Sequence, residues 1–106
     1  MANATNVLAS GIEITGTIKF SNDMIIDGNV NGEISSEKGQ VTIAENAKIT
    51  GDIKAGEVKL YGKVKGTIIA DRCELKANSI LDGDIETKKF LVEEGATLSG
   101  RTQIGK

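Results

Sequence analysis

The sequence predicts an all-β fold, a parallel β-helix of about six turns, and three observations carry that prediction. Apolar residues recur at a step of seventeen: Val7, Met24, Val41, Val58, Leu75 and Val92. A unit of the form apolar-x-Gly-x-apolar returns around Gly16, Gly32, Gly51, Gly66 and Gly83, with a sixth copy at Gly100 that ends in Thr102. Thirteen glycines stand beside no proline, so corners are supplied while every backbone N–H stays free for a ladder. A fixed period of this length marks a repeated unit too small to hide its own apolar face, which must stack on its neighbours.

The elements follow in order. Residues 1–10 read as a short tail leading into the first turn, residues 11–104 as the β-helix, and residues 105–106 as a C-terminal remnant. The first turn holds Ile12 and Ile14-Thr-Gly16-Thr-Ile18. Three later turns, Met24-Ile26-Val30-Gly32, Val58-Leu60-Val64-Gly66 and Leu75-Ala77-Leu81-Gly83, share one spacing. Two others, Val41-Ile43-Ala47-Ile49-Gly51 and Phe90-Val92-Ala96-Leu98-Gly100, carry two extra residues and an inward-sized alanine. Between units, the column Asn22, Gly39, Gly56 and Cys73 is rich in turn-forming types and reads as a corner. Each turn therefore has about three short strands and three corners.

Apolar and polar residues alternate in these runs, and no i, i+3, i+4, i+7 stripe escapes interruption by glycine. An antiparallel meander would not place equivalent residues at a constant step. Coiling does, with residues one turn apart stacked at ~4.8 Å. On that register Asp84 lies under Arg101 and Lys76 under Glu93, both favourable, whereas Lys59 lies under Lys76. Such exposed pairs contribute ~0–1 kcal/mol each.

Composition removes several function classes. Thirteen basic and fifteen acidic residues give a net charge of −2, and aromatics make up 3%. There is no basic footprint for nucleic acid and no stacking platform for single strands. One cysteine forbids an internal disulfide and suits a reducing compartment. With neither a secretory signal nor an apolar run of ~18 residues, a cytoplasmic location is expected.

No constellation of catalytic residues stands out. No glycine-rich loop matches a nucleotide-binding motif, so no nucleotide and no cofactor are expected. Asp52 and Asp84 follow glycines, yet the calcium-binding nonapeptide is absent, so no metal is expected. Cys73 sits between Arg72 and Glu74, and a free corner thiol slightly acidified by Arg72 is the reading; the chain has no histidine to pair with it. The alternative reading is a soluble β-helical binding module or a hexapeptide-type acyltransferase. Ile43-Ala-Glu-Asn-Ala-Lys-Ile49 fits one hexapeptide unit, but that register fails at Ile53, and a base for acyl transfer is missing. Threonines at 15, 17, 42, 50 and 67 are too scattered for a flat ice-binding array. The chain is not expected to be an enzyme.

The ends are the functional clue. Open solenoid ends expose apolar core and unpaired backbone groups, which invite association unless capped. Little sequence precedes Val7 or follows Ile104, so end-to-end association is expected. Its candidate interface is Ile12, Ile14 and Ile18 at one end and Phe90, Val92, Leu98 and Ile104 at the other.

The order of units resembles the bactofilins, bacterial polymer-forming cytoskeletal proteins. The resemblance rests on Ile26-Asp-Gly-Asn-Val-Asn-Gly-Glu-Ile34, Val41-Thr-Ile-Ala-Glu-Asn-Ala-Lys-Ile-Thr-Gly-Asp-Ile53, Val58-Lys-Leu-Tyr-Gly-Lys-Val-Lys-Gly-Thr-Ile68 and Leu91-Val-Glu-Glu-Gly-Ala-Thr-Leu-Ser-Gly100, and it extends from Val7 to Arg101. It implies a right-handed, three-sided β-helix that polymerises end to end without nucleotide into non-polar filaments. It also implies a scaffold at the inner membrane face that organises cell-wall enzymes and cell shape. Many members carry long, proline-rich tails, which this chain nearly lacks. Where members often place an aromatic near the last turn this chain has Leu98, with Phe90 supplying aromatic bulk. The resemblance further implies weak peripheral membrane contact through Met1, Val7 and Leu8, multiplied by avidity in a polymer.

Overall fold

A computed structural model describes residues 5–9, 11–36 and 38–105. Met1, one of the three residues expected at a membrane, lies outside them. The described residues form ten strands in one sheet, and every pairing is parallel: β1 (Thr5–Leu8), β2 (Glu13–Lys19), β3 (Asp23–Ile26), β4 (Asn29–Ser35), β5 (Gln40–Ile43), β6 (Lys48–Leu60), β7 (Lys63–Leu75), β8 (Ile80–Val92), β9 (Thr97–Ser99) and β10 (Thr102–Ile104). The chain winds as a β-solenoid of about six turns, measuring 32 × 29 × 23 Å.

Three sides stack from turn to turn. On the first, Leu8, Ile26, Ile43, Leu60, Leu75 and Val92 are successive Cα partners. On the second, Ile14, Val30, Ile49, Val64, Leu81 and Leu98 stack. On the third, Ile18, Ile34, Ile53, Ile68, Ile85 and Thr102 do so. Away from the ends these ladders form one apolar core, each of whose aliphatic side chains stabilises the fold by about 1.5–3 kcal/mol. Serine and threonine hydroxyls that reach inside are satisfied: Ser79 Oγ donates to the Lys76 carbonyl at 2.6 Å, and Thr87 Oγ1 to that of Lys89 at 2.9 Å.

The corner between the second and third sides is the glycine column. Gly16, Gly32, Gly51, Gly66, Gly83 and Gly100 are successive neighbours, with φ between +129° and +147°. A Cβ on Gly51 or Gly66 would lie 1.9 Å from the carbonyl oxygen of the glycine one turn earlier. Only glycine supplies both that backbone conformation and that closeness.

This column keeps the true register, and the seventeen-residue column does not. Met24, Val41 and Val58 do stack, but their next partners are Cys73 and Phe90, while Leu75 sits on Leu60 and Val7 on Ile25. The physical reason is unequal turn length: the Leu60-to-Leu75 step is fifteen residues, so a constant count drifts off the ladder. Cys73 accordingly is no corner residue. It is fully buried between Val58 and Phe90. Leu8 likewise belongs to the core, at 7% exposure, within a strand that the sequence assigned to the tail. Val7 points outward at 64%.

The two turn lengths are real, but one turn changes class. At the long corners between the first and second sides, an i+3 amide returns to an i carbonyl: Ala47 to Ala44, Ser79 to Lys76, Ala96 to Glu93, and Ile12 to Ala9. The turn containing Leu75 and Leu81 is therefore long, with Ser79 in the place that alanine takes at positions 47 and 96. Its hydroxyl hid it from an apolar count. The strands also run longer than three short pieces per turn. In β6, β7 and β8 pairing continues through the corners for 13 residues each, because the return to the first side is tight there.

The outward ladder partly differs too. Lys76 meets Glu93 as expected, at 3.4 Å. Asp84 accepts the Arg101 backbone N–H at 3.4 Å. Lys59, however, is the partner of Glu74 and not of Lys76.

Candidate assembly surfaces

The first and last turns build the candidate site. Among the described residues β1 and β2 pair on one side only, as do β9, β10 and the segment Lys89–Val92 that ends β8. Each end turn therefore presents a row of backbone groups and the inner faces of its core ladder. At the first end Ile14 and Ile18 are half-buried against the core beside Phe20, and Ile12 stands 45% exposed at the corner. At the last end Phe90, Ala96 and Leu98 are half-buried, while Val92 and Ile104 are 50% and 54% exposed. All seven candidate interface residues thus lie in the two end turns, three at one end and four at the other.

Sequence reasoning missed Phe20 and Leu91. Phe20 continues the third side, its amide donating to the Ser35 carbonyl at 3.1 Å. Leu91 is 51% exposed because Phe90 and Val92 take the inward positions on either side of it. Three consecutive large apolar residues in a strand must turn at least one outward, and that run was the available signal.

Elsewhere the surface offers little reactive chemistry. Burial, assisted by the charge of Glu74, pushes the Cys73 thiol up to about 12, so Arg72 does not acidify it and the thiol is inert while folded. Glu74 is only 8% exposed and is held by Lys76 at 2.9 Å and Arg72 at 3.2 Å. The hydrogen bond from Lys76 keeps its carboxyl below the ordinary 4.5, against the opposing effect of burial, and the same bond raises Lys76. A depressed folded-state pKa contributes stability above the unfolded value that is lost as pH falls through the folded one. Glu74→Gln is therefore expected to flatten the acid limb of a stability-against-pH curve below about pH 4.5, measured by denaturant unfolding. An unchanged acid limb would place that sensitivity at other carboxylates.

An open trough of about 840 Å³ runs along the third side past Ala55, Ile69 and Thr87, with Lys54, Asp71, Glu86 and Lys88 on its walls. Its charges alternate in sign, and among the described residues no three His, Cys, Asp or Glu side chains converge as metal ligands. No helix of the described residues is long and apolar enough to cross a membrane.

A rod of stacked parallel turns, apolar at both ends and chemically quiet along its sides, defines a structural solenoid whose chemistry is association. Residues 6–103 match the family Bactofilin, described as polymer-forming cytoskeletal. The chain belongs to the bactofilin family, whose members are structural cytoskeletal proteins and not enzymes. It is similar to bactofilin BacO of Myxococcus xanthus (strain DK1622), with 33% identity over 102 residues, covering 95% of this chain and 80% of BacO. Its fold matches that of the Thermus thermophilus bactofilin in double helical filaments at a TM-score of 0.90 and 24% identity, covering 94% of this chain and 99% of that one. It also matches the cytoskeletal bactofilin BacA, seen by solid-state NMR, at a TM-score of 0.80 and 25% identity, covering 96% and 97%.

Proposed function

We propose that this protein polymerises end to end, without nucleotide, through its first and last turns, and that the filaments act as a scaffold at the inner membrane face for cell-shape or cell-wall machinery. The observation that supports the end-to-end reading is where apolar surface lies. Of the eight large hydrophobic residues exposed among the described residues, Ile12 lies in the first turn and Val92 and Ile104 in the last, beside the half-buried Ile14, Ile18, Phe90 and Leu98. Burying that surface against another copy removes it from water and covers the unpaired strand edges in one step. The Thermus thermophilus relative forms double helical filaments, which favours the same behaviour here.

Leu98→Arg and Phe90→Arg place a charge in the proposed contact. Each is expected to cost about 2 kcal/mol or more per contact, raising the concentration needed for polymer about 30-fold and leaving short soluble species. Negative-stain microscopy reads this, with circular dichroism confirming that the variants stay folded. Long filaments formed by both folded variants at unchanged concentration would place the interface elsewhere. For the membrane, Leu8 is committed to the core, which leaves Val7 as the described residue of the proposed contact. Co-sedimentation of filaments with liposomes, reduced by Val7→Asp, supports it.

A further inference from the structure

Among the described residues, every side-chain hydrogen bond or ion pair that crosses between turns joins residues 88–101 to the turn before them. The Glu93 carboxylate holds two groups of the corner beneath it. One oxygen accepts the Ala77 backbone N–H at 3.1 Å, and the other takes Lys76 Nζ at 3.4 Å. Lys76 is held in turn by Glu74 at 2.9 Å, and Glu74 by Arg72 at 3.2 Å, so Glu93 is anchored to a network already fixed on the rod. At the glycine corner Asp84 accepts the Arg101 N–H, and at the entry to the last turn Lys88 lies 3.8 Å from Asp71. No such link joins the first turn to the second among the described residues. The remaining side-chain hydrogen bonds span two or three residues within a corner.

The last turn stacks on one neighbour only, so it depends on these links more than an interior turn does. Its strands β9 and β10 are three residues each, and Leu91, Val92 and Ile104 are half or more exposed. A unit with one paired edge and little buried apolar area opens locally at lower cost than the whole fold. Against that tendency Glu93 supplies a charge-assisted bond to a backbone amide, stronger than a neutral one, at the point where β8 ends.

We propose that residues 89–104 form a flap that opens as a unit, and that the Glu93 carboxylate is its latch. The flap carries Phe90, Val92, Leu98 and Ile104, so only the closed form presents the complete end surface, a consequence that rests on the end-to-end reading above. Opening lowers the assembly-competent fraction, and assembly in turn holds the flap shut. Salt loosens the latch, because Glu93 is half exposed and the pair is ionic.

One residue reports on the flap. Cys73, the single cysteine, is fully buried, with Val58 as its Cα partner on one side and Phe90 of the last turn on the other. Lifting Phe90 uncovers the thiol.

The test follows maleimide labelling of Cys73 in the folded full chain, below the concentration at which polymer forms. Glu93→Ala is expected to speed labelling at least about tenfold. Glu93→Gln keeps an acceptor for the Ala77 N–H but no charge for Lys76, and should fall between. Glu94→Ala, an exposed neighbour, should match the parent. Raising salt from about 0.01 M to about 1 M should speed parent labelling about two- to fivefold. The rate should hardly change in dilute urea, since local opening exposes little surface whereas global unfolding exposes all of it. Equal rates in the parent and Glu93→Ala, equal acceleration by Glu94→Ala, or a urea dependence as steep as that of global unfolding would each overturn the flap. In polymer, labelling should slow at least about tenfold. Equal labelling of polymer and subunit, with Glu93→Ala still faster, would keep the latch and overturn its link to assembly, and the end-to-end reading with it.

Discussion

Replacing Gly66 with alanine is expected to disrupt the middle of the solenoid and abolish a cooperative unfolding transition near that of the parent. The added Cβ would meet the Gly51 carbonyl oxygen at 1.9 Å, a backbone atom that cannot swing aside. The φ of +142° adds strain of about 1–3 kcal/mol for any L side chain, and the clash comes on top of it. A total loss above about 4 kcal/mol places this among the most damaging single substitutions. Gly16→Ala is the informative comparison. It carries a similar φ, +132°, but its Cβ would have nothing within 4 Å, so it should lose only the strain. Thermal melts of the two variants separate the effects. Equal, small losses at both positions would mean that the glycine column is not in contact from turn to turn.

Val58→Asp is the second large effect. Val58 is fully buried between Val41 and Cys73, four turns along the rod and far from either edge. A carboxyl there finds no partner in the ladder, and burying it costs several kcal/mol whether it stays charged or takes up a proton. Soluble expression and denaturant unfolding should show a protein largely unfolded at neutral pH. Thr50→Asp, exposed and beside Lys65, should change stability by no more than about 0.5 kcal/mol. A folded Val58→Asp protein would contradict the inward assignment of the whole first side.

These substitutions differ from the end-turn variants in which link they break. Gly66 and Val58 act on the turn-to-turn stack that makes a subunit, whereas Leu98 and Phe90 lie where the stack stops and assembly begins. Filament loss without unfolding is therefore specific to the ends.

The parallel coil, its count of turns and the glycine corner were legible in the chain, because each follows from local pattern. Alternation fixes which faces of Ile49-Thr50 or Val64-Lys65 point inward, and a glycine with polar neighbours between two aliphatics marks a corner in every copy. The candidate end residues were legible for the same reason, since the first and last copies of a stacked unit must be its ends. Register was different. Counting seventeen from Val58 led to Leu75, and only the folded ladder shows that Cys73 lies above it, because corners of unequal length change the step without changing the pattern. The same shift decided that Ser79 fills an alanine position, that Lys59 meets Glu74, and that Lys48 lies against Lys63. Sequence alone thus determined that this chain coils and where its apolar face runs. The tertiary structure decided which side chains touch across turns, since that depends on the summed length of every intervening corner, a quantity set by packing and not by any one residue.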